Sequence, residues 1–236
     1  MQSQVTFSCD DGFPMPGRLT TPDGRMQQPR PGLLLVYEAF GMSDEMGRVA
    51  ADLADEGDWT LLIPDLFARG RKSLCVARCL LTIATGRGEP LHDLDAARRY
   101  LVDLPEVASE RIGVIGFCMG GGFALLLAMT GRYRASAPFY GLAPKNMPRS
   151  CPVVASYGAR DLVLKSSPAR LEHNLTQLGM PHDVKVYPQA GHSFYTQAPN
   201  RAAQLIGPFT PLRAQYHEPS ARDARKRVVA FFREHL

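Results

Sequence analysis

The stretch Arg111–Ala128, Arg-Ile-Gly-Val-Ile-Gly-Phe-Cys-Met-Gly-Gly-Gly-Phe-Ala-Leu-Leu-Leu-Ala, constrains this chain more than any other. An apolar run, Ile112 to Ile115, stops at Gly116. Cys118 follows two residues later, then three glycines, then a second apolar run of helical character. The pattern predicts a strand, a sharp turn and a helix, with Cys118 at the tip of the turn. A residue on so tight a turn has a strained backbone, and side chains at Gly116 and Gly120 would collide with the adjoining strand and helix. A helix beginning at Met119 aims its free amides and partial positive charge at the sulfur, which favours thiolate. Taken alone, the stretch also fits a buried structural cysteine in a Gly-rich turn.

The flanking sequence decides between these readings. Gly32–Tyr37 is a continuous apolar run, as expected of a strand buried on both faces of a parallel sheet. Trp59–Ile63, Ala135–Tyr140, Pro152–Tyr157 and Asp183–Tyr187 read as further strands. Helical patterns lie between them: one capped by Ser43, then Leu74–Ala84, one beginning at Asp93 after a break over Gly86–Pro90, and Leu171–Leu178. Asp223–His235 ends the chain as an amphipathic helix. Val5–Ser8 and Met15–Thr20 flank an Asp-Asp-Gly turn and predict an N-terminal hairpin. Pro22–Arg25 reads as loop, and residues 195–219 as a long connection with at most one short helix. Strands alternating with helices imply a parallel α/β sheet. A length of 236 residues fits a single domain over 1–236.

In such sheets the chemistry gathers just after the strand C-termini. Glu38 follows the first apolar strand and Cys118 the second. Gly158-Ala-Arg-Asp161 and Gly191-His192-Ser-Phe194 follow two later ones. Singly, Asp161 is a turn aspartate, Glu38 a surface carboxylate and His192 an exposed turn histidine. Together, nucleophile, acid and histidine stand in the chain order of α/β-hydrolase triads, around a Gly-x-Cys-x-Gly elbow. A thiol needs a base. His192 can take that proton, and Asp161 can fix its tautomer. The amides of Met119 and Ala39 are the expected oxyanion donors.

Composition narrows the alternatives. Charged residues make up 21% of the chain and the net charge is +4, without a basic stripe interleaved with aromatics, so no nucleic-acid partner is expected. The cluster Arg222, Arg225, Lys226 and Arg227 reads as the solvated face of the last helix. No apolar run approaches membrane-spanning length, and the opening residues lack a secretory pattern. Five scattered cysteines without a leader suggest reduced thiols and a cytoplasmic location. Cys75 and Cys79 read as one helical face rather than metal ligands. No metal or cofactor is expected. A monomer or small homo-oligomer fits equally.

The segments Glu38–Gly41, Pro64–Arg69, Asp93–Ala97, Gly113–Gly121, Tyr140-Gly141 and Ala190–Phe194 resemble the dienelactone hydrolase family, which contains carboxymethylenebutenolidase. The resemblance runs almost end to end. It implies an α/β-hydrolase fold without a large cap domain and a Cys118–His192–Asp161 triad that forms an acyl-thioenzyme on a small ester or lactone. It also implies that the resting thiol lies against Glu38, which takes its proton when substrate binds. Substrate contacts are expected from Phe40, Arg69, Tyr140, Phe194 and Thr196. Thr196 stands where the resemblance implies an arginine that grips a substrate carboxylate, so dienelactone itself is not the expected substrate. A binding or regulatory protein on the same fold, or a thiol redox protein using Cys118, remain the alternatives.

Overall fold

The computed structural model describes residues 1–23, 28–198 and 200–236. Among them, eight strands form one sheet in the order β1-β2-β4-β3-β5-β6-β7-β8. They are β1 Gln2–Ser8, β2 Pro14–Thr20, β3 Arg30–Val36, β4 Thr60–Pro64, β5 Val107–Phe117, β6 Ala135–Phe139, β7 Val153–Gly158 and β8 His182–Tyr187. The β1–β2 hairpin is antiparallel and joins antiparallel to β4, and the other pairings are parallel. The helices are α1 Asp44–Gly57, α2 Lys72–Thr85, α3 Glu89–Val102, α4 Met119–Ala128, α5 Ser167–Gln177, α6 Arg201–Ile206 and α7 Glu218–His235. This is the expected α/β-hydrolase architecture. Of the expected Pro22–Arg25 loop, Gly24 and Arg25 lie outside the described residues.

The centre of the sheet carries the most apolar sequence because both its faces are covered. Leu33, Leu34 and Leu35 on β3 are fully buried, and every residue of α4 is buried against β3, β5 and β6. Truncating one of these leucines to alanine removes about 2–5 kcal/mol of stability. Helix α1 starts where Ser43 Oγ accepts the Met46 amide at 3.3 Å and ends where Asp58 turns left-handed at φ 56°.

Several boundaries differ from the sequence reading, among them those of α3, β5 and α7. Helix α3 begins at Glu89, because Pro90 occupies the first turn, where a missing N–H costs nothing, and does not break the helix. Strand β5 begins earlier, at Val107, with a register shift against β3 between Pro31 and Gly32. Helix α7 begins at Glu218, and its basic cluster is not a free solvated face. Arg227 reaches into the sheet, where Nη1 donates to Ser156 Oγ at 3.0 Å and Nε to Asp183 at 2.8 Å. Arg225 pairs with Asp52 and Glu56 across α1.

The sheet register positions the site. Val36, Gly116 and Pro138 lie side by side across β3, β5 and β6. Two residues beyond each come Glu38, Cys118 and Tyr140. Residues 22 to 102 apart in sequence thus share one sheet edge because three strands end level.

Candidate active site

The elbow holds Cys118 at φ 55° and ψ −113°, a conformation that a residue with a Cβ rarely adopts. Its amide donates to Phe139 O at 3.0 Å, and its carbonyl accepts from Gly122 N at 3.1 Å. The flanking glycines are sterically required. A Cβ on Gly120 would sit 1.9 Å from Val36 O, and one on Gly116 would sit 2.0 Å from Gly120 O. The backbones therefore approach closely only without side chains, and that approach keeps Cys118 on the tip. Among the described residues the amides of Met119 and Ala39 have no hydrogen-bond acceptor. Both are free donors beside the sulfur-bearing turn.

His192 follows β8. Its Nδ1 lies 2.7 Å from Asp161 Oδ2. The Asp161 carboxylate is fixed in turn, since Oδ1 accepts the amides of Val163 at 3.0 Å and Leu164 at 3.2 Å. The His192 backbone is pinned to the 207–217 segment through Leu212 O at 2.9 Å and Gln215 N at 3.1 Å. Its Nε2 is buried and makes no hydrogen bond of normal geometry. Burial opposes charging of the ring. The hydrogen bond and charge of Asp161, together with the Cys118 sulfur, outweigh burial and lift the imidazole to about 10.

Glu38 is buried in the same site. One of its oxygens, Oε1, accepts three hydroxyls: Thr196 Oγ1 at 2.8 Å, Tyr140 OH at 3.2 Å and Ser193 Oγ at 3.2 Å. Burial raises its proton affinity, and the three hydroxyls and the His192 charge only partly offset this. Tyr140 and Ser193 both take positive φ, 38° and 51°. Strained backbone thus recurs at Cys118, Tyr140 and Ser193, which supports a functional reading of this corner of the molecule. The expectation that the thiol rests against Glu38 is not met here. Hydroxyls fill the bonded glutamate oxygen, and among the described residues no hydrogen bond joins the Cys118 sulfur to Glu38.

Cys118, His192 and Glu38 open into one cavity of about 410 Å³, which Ala39, Phe40, Ser193 and Thr196 also line. The rest of its lining comes from Gln197, Ala198 and residues within 202–216, including part of α6. A cleft of about 480 Å³ on the far side of Gln215 and Tyr216 holds Arg160, Arg213 and His217 but none of the four candidate catalytic residues. Among the described residues, no group of three or more His, Cys, Asp or Glu is arranged to hold a metal ion. Among the described residues no helix is long and apolar enough to cross a membrane.

The expected substrate contacts divide. Phe40, half exposed, and Thr196 line the cavity. Tyr140 lies beneath Glu38 and acts on the site through it. Arg69 does not reach the cavity wall. Asp11 and Asp93 hold its guanidinium at 2.7 Å each, and it stacks over the Phe13 ring. Phe194 is fully buried among Phe139, Tyr140 and Tyr187, as core rather than cavity wall. The sequence reading gives Ser193 no role, whereas α6 falls in the 195–219 connection, where it expects at most one short helix. Asn200 supplied a signal for α6, since its side chain caps the helix at Ala203 N at 2.8 Å.

The profile of the dienelactone hydrolase family matches residues 15–236. The chain belongs to the dienelactone hydrolase family. Family membership makes it a hydrolase of the carboxylic ester class. The carboxymethylenebutenolidase of Rhodococcus opacus is 28% identical over 226 residues, covering 86% of this chain and 81% of that protein. A Bradyrhizobium protein described as a probable 2-oxo-3-(5-oxofuran-2-ylidene)propanoate lactonase is 28% identical and covers 87% of this chain and 84% of its own length. Among solved structures, a dienelactone hydrolase-like promiscuous phosphotriesterase from metagenomic libraries superimposes with a TM-score of 0.80 at 24% identity, covering 100% of this chain and 98% of that one. A putative dienelactone hydrolase from Klebsiella pneumoniae gives 0.78 at 23% identity, over 99% and 98%. These structural likenesses establish the α/β-hydrolase fold.

Proposed function

We propose that the protein hydrolyses small carboxylic esters or lactones through an acyl-thioenzyme on Cys118. The observation that carries this reading is the His192 ring. Asp161 fixes Nδ1, while Nε2 stays buried and unpartnered on the side of the elbow thiol. The raised proton affinity of the ring lets Nε2 take the thiol proton and hold it as imidazolium. The Cys118 sulfur then attacks the carbonyl carbon, and the C=O π electrons move onto oxygen. The amides of Met119 and Ala39 receive that oxyanion. Collapse expels the alkoxide, which takes the proton from the His192 imidazolium. In a lactone the alkoxide remains on the same acyl chain. Water, deprotonated by His192, then cleaves the thioester, releasing the acid and restoring the thiol.

Glu38 is the second proton acceptor on the same cavity. Burial raises its proton affinity, and its Oε2 has no protein donor among the described residues. This fits the proton-accepting role that the family resemblance implies. Small lactones and p-nitrophenyl acetate test the reading with wild type, Cys118→Ala, Cys118→Ser and His192→Ala. Acid-quenched mass spectra should show an acyl adduct on Cys118. Turnover that persists in Cys118→Ala would sink the mechanism.

A further inference from the structure

The cavity wall carries a specificity that the catalytic residues do not explain. Beyond the reacting groups its surface is mostly apolar, with Phe40, Ile206 and Leu212 on it, and its further polar side chains, Gln197, Thr210 and Gln215, are neutral. Among the described residues no lysine or arginine lines it. Its ionisable lining is confined to Glu38, Cys118, His192 and Tyr216. Asp161 already balances the His192 charge, and Glu38 repels an anion whenever it is ionised. Two cations near the mouth are committed elsewhere. Lys72 Nζ donates to Phe40 O at 2.5 Å, and Arg213 Nη1 donates to Pro208 O at 3.0 Å within the neighbouring cleft. Thr196 spends its hydroxyl on Glu38 at 2.8 Å. A substrate carboxylate entering here loses its water and gains no cation, only neutral donors, whereas an alkyl group loses nothing and buries apolar surface.

From this we infer that the site selects uncharged, apolar esters and lactones and rejects those bearing a carboxylate. The inference rests on the hydrolase reading for its kinetic test but not for its binding test. The volume, about 410 Å³, lies toward the small end of ligand cavities, so the preferred acyl group is short or medium in length.

The kinetic test compares p-nitrophenyl hexanoate with the p-nitrophenyl monoester of adipic acid, which differs only in a terminal methyl replaced by carboxylate. Wild-type kcat/KM should favour the hexanoate by about 100-fold. In Ala203→Arg, which adds a cation to the wall without touching the Glu38 hydroxyls, that ratio should fall by about tenfold. The binding test uses Cys118→Ser with heptan-2-one and 6-oxoheptanoate, followed by ligand-detected NMR. Only the ketone without carboxylate should bind. Equal kcat/KM for the two esters, or equal binding of the two ketones, overturns the inference. If hydrolysis survives Cys118→Ala, the thiol mechanism fails while the ketone pair still decides the charge preference.

Discussion

Asp161 and Glu38 are both buried carboxylates on loops that follow strands, but they are held in opposite ways. Two backbone amides and the His192 ring anchor both oxygens of Asp161. Backbone donors cannot be removed by rotating a side chain, and the imidazole supplies a countercharge. Glu38 has only side-chain hydroxyls, all on one oxygen, and no cation bonded to it. Burial accordingly leaves its proton affinity raised. One site is built to keep a fixed anion beside a histidine. The other holds a carboxylate whose proton affinity burial has raised, by contacts that can turn away.

The sharpest way to break this contrast is Asp161→Asn. It keeps the shape, forces the wrong imidazole tautomer and should lower kcat by about 10,000-fold, read in steady-state kinetics with p-nitrophenyl acetate. A loss below tenfold would show that Asp161 only caps its turn.

Glu38→Gln should act more mildly, lowering the acylation rate by about 10- to 100-fold in pre-steady-state bursts. Its effect on stability has a definite sign. The folded protein binds the Glu38 proton more tightly than the unfolded chain, so stability falls as pH rises above the ordinary glutamate range. Glutamine removes that fall, and denaturant midpoints of the variant should gain on wild type as pH climbs. Wild-type burst rates together with an unchanged pH slope would make Glu38 an ordinary loop residue.

Thr196→Val removes the shortest of the three hydroxyl contacts and should cost about 1 kcal/mol of carboxylate stabilisation. Activity should drop several-fold, and the limb of the pH–rate profile to which Glu38 contributes should move to higher pH. Thr196→Ser should restore both. A pure loss of binding, with KM raised and the profile unmoved, would place Thr196 on the substrate alone.

The sequence makes the anchored half of this comparison far more legible than the poised half. Cys118, Asp161 and His192 each sit in a short local signal: a Gly-flanked elbow, a turn after a strand, a Gly-His-Ser-Phe corner. Strands β3 and β5 are legible because burial on both faces leaves an uninterrupted apolar run. The Glu38 hydroxyls come from positions 102, 155 and 158 residues away, and no local pattern records that convergence. Arg69 and Phe194 mislead for a related reason. Each lies within or beside a motif of the site, but proximity in sequence does not fix the face on which a side chain lands. Arg69 turns to Asp11 and Asp93, and Phe194 turns into the aromatic core. Arg227 shows the same limit for charge: a basic cluster reads as solvated until the sheet supplies Ser156 and Asp183 as partners.

Tyr140 touches both halves of the comparison. Its hydroxyl reaches Glu38, while its ring centre lies 4.8 Å from that of His192. The His192 charge also acts directly on the Glu38 carboxylate. Glutamate and histidine are therefore not independent titrants. Protons leave this site in macroscopic steps that belong to the ensemble of the two groups, so an inflection in a pH–rate curve reports their joint occupancy rather than either residue alone.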